Sequence, residues 1–335
     1  MTAPEPYAAP RWLPGGHLQT IYPALFLRFA RVAYRRERWD TPDGDFIDVD
    51  WVTPKAGAAN IQPDASRPLL VLFHGLEGSS TSHYAHALMA HVRDIGWCGA
   101  VVHFRGCSGE ANRLARAYHS GDSEEIDWVL RRLRTSTSAP FYAAGVSLGG
   151  NALLKWLGER ETAAAEIVCA AAAVSAPLDL MAAGDALGRG FNLVYTRKFL
   201  ATLKRKSLAK LAEHPQIYDA TIVRSARTLR DFDNVVTAPL HGFRDTDDYW
   251  TRASSKPWLS QIKVPTLLVN ARNDPFLPQQ ALPTQYEVSP FVTRDFPDEG
   301  GHVGFVTGAF PGRLDWLPRR IIDFFRHSAS KEPLT

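Results

Sequence analysis

Short runs of consecutive apolar residues recur along the chain, and segments with apolar residues at helical spacing separate them. The runs cover residues 69–73, 99–104, 141–146, 167–174, 264–270 and 291–296. Uninterrupted apolar runs of this length are typical of strands that helices cover on both faces of a sheet. Because strands alternate with helices, the pattern predicts an α/β fold with a doubly wound, mostly parallel sheet.

Two helical segments have further local signals. The segment that ends at Arg134 starts with Asp122 and Glu125, whose three-residue spacing predicts a capping box at the first turn. Near the end of the chain, residues 314–327 form an amphipathic pattern that predicts a helix packed on the sheet.

Upstream of the first apolar run, Ile47, Val49 and Trp51 alternate with Asp48 and Asp50. Strict alternation of apolar and acidic residues predicts a half-buried strand with one face in water. We therefore expect this strand at an edge of the sheet.

The interval between residues 177 and 260 is longer than one crossover between parallel strands needs. It contains basic segments of helical character, such as 195–212 and 218–232. We expect it to form a helical lid over the carboxyl edge of the sheet, inserted within a single domain that spans residues 1–335.

The apolar and aromatic segment 18–32 has near-helical spacing and is expected to dock on its own domain. An alternative stays open, because Arg28, Arg31, Arg35 and Arg36 accompany it. An apolar segment flanked by cations can also make a peripheral contact with a membrane surface.

Composition limits which cellular compartment and which binding partners are expected for the chain. The net charge of +3 is too small to indicate a nucleic-acid partner. Cys98, Cys107 and Cys169 show no paired or metal-like spacing and lie in or beside apolar runs, which predicts buried free thiols in a reducing compartment. No signal-peptide pattern and no apolar stretch of about 18 residues is present, so a cytoplasmic location is expected.

The strongest chemical motif follows the apolar run 141–146. Residues 145–149 are Gly-Val-Ser-Leu-Gly, a match to G-x-S-x-G. When a strand turns sharply into a helix, the residue at the tip takes a strained conformation, and side chains two positions away would collide. The motif therefore predicts Ser147 as an exposed nucleophile between a strand and a helix.

A serine hydroxyl needs an adjacent base to react at neutral pH. Sheet enzymes with this serine turn take an acid and a histidine from later strand ends, in the order Ser, Asp, His. Asp274 follows the run 264–270, and His302, flanked by glycines, follows the run 291–296. We expect His302 to be the general base and Asp274 to orient its imidazole.

The tetrahedral intermediate of ester hydrolysis needs hydrogen-bond donors for its oxyanion. The Leu148 N–H, at a helix N-terminus, is one expected donor. The second is expected from the Leu76 N–H, in the loop after the run 69–73.

Other candidate sites are weaker. His83, His86 and His91 have near-helical spacing, but no carboxylate or cysteine completes a metal site, and a solvated helix face is expected. Residues 105–109 lack the Lys-Ser/Thr of a phosphate loop, so a structural turn beside the active site is expected, and no histidine partner for Cys107 is identified. No cofactor and no metal are predicted.

Together these motifs resemble the YheT-like branch of the α/β-hydrolase family of esterases and lipases. The matching segments are 15–20 (GGHLQT), 74–80, 104–110, 118–122, 145–151, 232–233, 241–243, 274–276 and 300–305. One departure is His103, where relatives usually have asparagine. The resemblance implies an α/β-hydrolase fold, hydrolysis of carboxylic esters, and Ser147, Asp274 and His302 as the charge-relay residues.

The expected function is thus hydrolysis of small-molecule or lipid esters with apolar acyl chains, through an acyl-enzyme on Ser147. Two alternatives stay open at this point. An acyltransferase would pass the same acyl group to an alcohol, and a non-catalytic binding module would use only the scaffold. The sequence gives no oligomeric state.

Overall fold

A computed structural model describes residues 5–27, 32–53 and 66–329. The strands are β1 Tyr34–Asp40, β2 Phe46–Val52, β3 Leu69–Phe73, β4 Cys98–His103, β5 Phe141–Val146, β6 Ala170–Val174, β7 Thr266–Val269 and β8 Val292–Asp295. The α-helices are α1 Gly16–Leu25, α2 His83–Asp94, α3 Ser123–Thr135, α4 Leu148–Arg160, α5 Leu180–Leu187, α6 Leu193–Lys210, α7 Ala220–Ser225, α8 Leu229–Phe232, α9 Ala238–Leu240, α10 Thr246–Ala253 and α11 Trp316–Ala329.

The eight strands form one sheet in the order β1-β2-β4-β3-β5-β6-β7-β8. The strands β3 to β8 pair in parallel, and β1 and β2 join antiparallel at one side. Helices α3 and α4 cover one face and α2 and α11 the other, each burying an apolar cluster against the strands. The predicted α/β fold with a doubly wound, mostly parallel sheet is confirmed.

The prediction for β2 was wrong. Every residue of β2 is buried, and β1, which the sequence analysis missed, pairs along its outer side. The Arg36 guanidinium lies 2.8 Å from the Asp50 carboxylate, and Arg38 lies 2.9 Å from Asp48. The acidic face looked solvated in the sequence because its partners belong to another strand.

Asp50 is the centre of a buried polar cluster. His103 Nε2 lies 2.8 Å from its carboxylate, and the Ser80 hydroxyl donates to it at 2.6 Å. Burial alone would raise the pKa of Asp50, but the hydrogen bonds from Arg36, His103 and Ser80 lower it well below its ordinary value. A lowered carboxyl pKa stabilises the fold above the unfolded value near 4, and that stabilisation is lost as the pH falls.

We therefore expect Asp50→Asn to be less stable than the parent by about 2 kcal/mol at pH 7, since it leaves His103 and a half-exposed Arg36 without their carboxylate. Denaturant unfolding followed from pH 7 to pH 2 should show the two proteins converging below about pH 4. A stability difference that stays constant across this range would show that the Asp50 charge is not its source.

The predicted capping box was also wrong, although helix α3 lies where expected. The Asp122 carboxylate accepts a hydrogen bond from Arg116 at 2.7 Å, and Glu125 accepts one from Arg105 at 2.5 Å. Both acids are buried in ion pairs, and Asp122 makes no side-chain cap. Arginines outside the helix thus outcompete its backbone for these carboxylates.

All three cysteines are free thiols, but their burial differs. Cys107 is buried, Cys98 is partly buried and Cys169 is exposed. The prediction of three buried thiols was therefore wrong for Cys169. Its neighbours in the apolar run are buried, whereas Cys169 lies just before the first residue of β6.

Helices α5 to α10 all lie between β6 and β7. They have small apolar clusters of their own, one of them around Trp250 and Tyr249. Among the described residues, no helix combines the length and the apolar character that crossing a membrane requires.

Candidate active site

Ser147 stands at the sharp turn between β5 and α4. Its backbone has φ 52° and ψ −120°, in the left-handed region that side-chain-bearing residues rarely adopt. A Cβ on Gly145 would lie 2.5 Å from the Gly149 carbonyl oxygen, and one on Gly149 would lie 2.5 Å from that of Phe73. The turn therefore requires glycine at both positions, as the motif predicts.

The structure brings the three predicted residues together. His302 Nε2 lies 3.0 Å from Ser147 Oγ, and His302 Nδ1 lies 2.9 Å from Asp274 Oδ2. Ser147, Asp274 and His302 follow β5, β7 and β8, whose carboxyl ends share one edge of the sheet. Parallel pairing therefore places residues far apart in sequence within hydrogen-bond distance.

Two further contacts fix the acid and the imidazole. The second oxygen of Asp274 accepts the Phe276 N–H at 2.8 Å, and the carboxylate is almost entirely buried. The Phe276 ring stacks on the His302 ring with centroids 4.0 Å apart. Asp274 therefore holds the imidazole at its edge and Phe276 holds it on its face. The sequence pattern did not predict this role of Phe276.

The loop after β3 lies directly beside the serine. A Cβ on Gly75 would lie 3.1 Å from the Ser147 Cβ. The Gly75 N–H donates to the Tyr84 hydroxyl and the Glu77 N–H donates to the Tyr118 hydroxyl, each at 2.9 Å. Between them, the Leu76 N–H donates to no group among the described residues.

The Leu148 N–H is likewise unpaired within the described part of the chain, because it begins α4. Both predicted oxyanion donors thus have free amides near Ser147. The two tyrosines that position the Leu76 loop were missed. Tyr84 lies in α2 and Tyr118 in the segment before α3, and no local signal connects them to the loop.

His74, at the end of β3, has a structural role. Its Nδ1 lies 2.8 Å from the Gly75 carbonyl oxygen, and its Nε2 accepts the Phe104 N–H at 3.1 Å. Burial lowers the pKa of His74 to about 3. The neutral ring therefore joins the ends of β3 and β4 and supports the loop that contains Leu76.

The turn at residues 105–109 lies beside this loop, as expected. Arg105 is buried and ion-paired with Asp45 at 3.1 Å as well as with Glu125. Burial raises the pKa of the Cys107 thiol to about 12, which keeps it protonated and a poor nucleophile. These contacts give Arg105 and Cys107 a structural role.

The three histidines of α2 are not grouped as metal ligands. His83 Nε2 lies 3.1 Å from the Val303 carbonyl oxygen, beside the His302 loop. Within residues 5–27, 32–53 and 66–329, no three His, Cys, Asp or Glu side chains are grouped closely enough to hold a metal ion.

Helix α1 docks on its own domain. Trp12 and Tyr22 donate to the carbonyl oxygens of Gly308 and Pro311 at 3.0 Å each, beyond the His302 loop. Four arginines suggested that this segment could contact a membrane surface. Arg36 pairs with Asp50, and Arg28 and Arg31 lie outside the described residues. Membrane contact therefore stays a prediction.

The α/β-hydrolase class is defined by a serine at a sharp strand-to-helix turn, with a histidine and a buried acid at the same edge of a parallel sheet. Comparison with known proteins agrees, since the family model for the alpha/beta hydrolase fold matches residues 68–309. The protein named "Putative esterase YheT" of Escherichia coli (strain K12) is 42% identical over 92% of this chain and 89% of its own. The chain belongs to the α/β-hydrolase family, in its YheT-like branch.

Other relatives have lipid-related names. "Phospholipase ABHD3" of Mus musculus is 31% identical, over 94% of this chain and 77% of its own. "Monoacylglycerol lipase" of Saccharomyces cerevisiae is 29% identical, over 88% of this chain and 74% of its own. The chain is an esterase- and lipase-like α/β hydrolase, as the sequence predicts.

Among solved structures, Est1E of Butyrivibrio proteoclasticus with bound ferulic acid superposes with a TM-score of 0.55 at 15% identity. The match covers 88% of this chain and all of the other. At this identity the likeness supports the shared fold alone.

Proposed function

We propose that the chain hydrolyses carboxylic esters through an acyl-enzyme on Ser147. The observation that carries this proposal is the continuous hydrogen-bonded row from Asp274 through His302 to Ser147, with distances of 2.9 and 3.0 Å. The row supplies a nucleophile, a base and an orienting carboxylate, the three parts that serine acyl transfer needs.

In the acylation step, Ser147 Oγ attacks the ester carbonyl carbon while neutral His302 takes the hydroxyl proton on Nε2. The carbonyl oxygen becomes an oxyanion, which the amides of Leu76 and Leu148 bind. Asp274 stabilises the imidazolium. The C–O bond then breaks and the alcohol leaves with the proton from His302.

Water completes the cycle by the same route. His302 takes a proton from water, and the resulting attack on the acyl carbon rebuilds the oxyanion. The bond between the acyl carbon and Ser147 Oγ then breaks, Oγ takes the proton back from His302, and the carboxylic acid leaves. The relatives have the names of an esterase, a phospholipase and a lipase, so hydrolysis rather than acyl transfer is the proposed reaction.

The substrate proposed is an ester with an apolar acyl chain. Phe276, which stacks on His302, packs with Leu187 and Tyr195 in an apolar cluster beside the histidine. Esterase, phospholipase and lipase names among the relatives support the same class of ester. Burial of each CH₂ group contributes about 0.8 kcal/mol, so chain length should influence binding strongly.

We also propose that residues 177–260 act as a lid on this site. Tyr195 and Phe199 of α6 contact Phe276 with ring centroids 4.8 and 6.0 Å apart. Lys206, on the same helix, lies 2.7 Å from the Glu77 carboxylate in the loop that contains Leu76. We call Asp274, His302 and Ser147 the catalytic row. Helix α6 thus contacts Phe276 on one side of this row and the Leu76 loop on the other.

A fluorophosphonate probe tests the acyl-enzyme directly. We expect one adduct per chain, assigned to Ser147 by peptide mass spectrometry, and labelling that competes with p-nitrophenyl esters of increasing chain length. Since the base must be neutral, labelling should slow on acidification. An adduct on another residue, with Ser147 unmodified in an active preparation, would contradict the proposal.

A further inference from the structure

The segment 15–20, which the proposed chemistry does not use, forms the start of α1 and lies against both catalytic loops. Two of its polar residues, Gln19 and Thr20, are buried, Gln19 completely. A buried polar side chain is costly unless its hydrogen bonds are made, so the partners of these two show what they stabilise.

Thr20 holds the backbone of the base. Its Oγ1 accepts the His302 N–H at 2.8 Å and donates to the Gly16 carbonyl oxygen at 2.7 Å. The donated bond orients the hydroxyl so that a lone pair faces the His302 amide. The position of the histidine backbone therefore depends on a side chain of α1.

Gln19 connects the two loops that contain the acid and the base. Its Oε1 accepts the Gly300 N–H and an Asn273 Nδ2–H, each at 2.9 Å. Its Nε2 donates to the Leu13 carbonyl oxygen at 3.0 Å and to Glu299 at 3.1 Å. All four hydrogen bonds of the amide are made.

Asn273 closes the connection, because its Oδ1 accepts the Gly301 N–H at 2.9 Å. It is the residue immediately before Asp274. The turn that contains the acid and the loop that contains the base are thus tied both to each other and to α1.

The helix and the loops touch at backbone distance. A Cβ on Gly304 would lie 2.1 Å from the Gln19 carbonyl oxygen, and one on Gly16 would lie 2.0 Å from the Asn273 carbonyl oxygen. Glycines make this approach feasible, but they also give the His302 loop a large conformational entropy when free. An external tie is therefore needed to hold the imidazole in place.

We propose that Gln19 and Thr20 are positioning residues for the catalytic row, which set the distance from His302 to Ser147 and the alignment of Asp274. This inference rests on the proposed ester hydrolysis. Productive geometry must hold within about 0.5 Å, and small displacements of a base can cost about 100-fold in rate. We expect the effect in kcat, since the hydrogen bonds of both side chains go to protein groups.

The test compares Thr20→Val with Thr20→Ser. Valine keeps the shape but removes the acceptor for the His302 N–H, whereas serine keeps the hydroxyl. We expect Thr20→Val to lower kcat per active site at least about 10-fold with KM little changed, and Thr20→Ser to stay within about two-fold of the parent. Active sites are counted by fluorophosphonate titration, which removes losses due to misfolding.

Thr266→Val is the matched control. Thr266 is a buried threonine whose hydroxyl donates to the Val264 carbonyl oxygen at 2.8 Å, at the start of β7 and away from the catalytic edge. The Thr266→Val variant should be less stable than the parent but should keep the parental kcat per active site. If Thr20→Val does not fold, Gln19→Met is measured in the same way, with the same expectation.

Hydrogen exchange separates this inference from the proposed function. In Thr20→Val the segment 299–304 should exchange faster than in the parent, whatever the reaction is. Unchanged exchange there, kcat per site equal to the parent, or equal losses in the valine and serine variants would each overturn the positioning role. Turnover that survives Ser147→Ala would instead overturn the proposed function alone.

Discussion

Replacing Ser147 with alanine is expected to lower kcat for p-nitrophenyl esters by about 10⁵-fold or more while the protein stays folded. The hydroxyl is the attacking group, and no other described side chain is placed to replace it. Alanine keeps the Cβ, so the strained backbone at this turn is unchanged. Steady-state assays together with circular dichroism and thermal unfolding would measure both parts of the expectation.

Ser289→Ala is a suitable control for this variant. Ser289 is buried and its hydroxyl accepts the Phe291 N–H at 3.2 Å, just before β8 and at the opposite end of that strand from the His302 loop. Its activity should match the parent. Ester turnover that persists in Ser147→Ala at more than about 1% of the parental rate would contradict a serine nucleophile.

His302→Ala should be nearly as damaging, because without the base the hydroxyl of Ser147 stays protonated. The two losses should not add, since nucleophile and base act as one unit. The double variant is therefore expected to have about the same kcat as either single variant. Assays of the two single variants and the double variant under the same conditions would measure this.

A double variant slower by the product of the single losses would show that Ser147 and His302 act independently, against the hydrogen bond between them. His327→Ala, on the exposed last turn of α11, serves as the histidine control and should retain parental activity.

Much of the fold could be predicted because its signals are local. Each apolar run lies on a strand of the parallel part of the sheet, and the glycine spacing around Ser147 marks the turn. Asp274 and His302 follow from these elements, since residues after parallel strands meet at one edge. Short-range patterns plus the rules of sheet topology therefore suffice to predict that Ser147, Asp274 and His302 lie side by side.

The parts that could not be predicted depend on partners that lie outside the element of the charged residue. Asp48 and Asp50 alternate like a solvated face, and only the arginines of β1 make their burial feasible. The same reason explains Asp122, whose partner Arg116 replaced a local cap. The environment of a charged residue is set by which side chains the fold brings against it, and local spacing alone does not reveal those pairs.

The hydrogen bond between Thr20 and His302 connects positions 282 residues apart. During synthesis the serine turn leaves the ribosome before the histidine loop does. The contact between α1 and that loop can form only after the loop has been made. A nascent chain without the His302 loop has Ser147 but no base. A truncated chain without α1 has His302 but lacks the hydrogen bond that holds its backbone. We therefore expect a chain without residues 15–20, or without the His302 loop, to lose most of its ester hydrolysis.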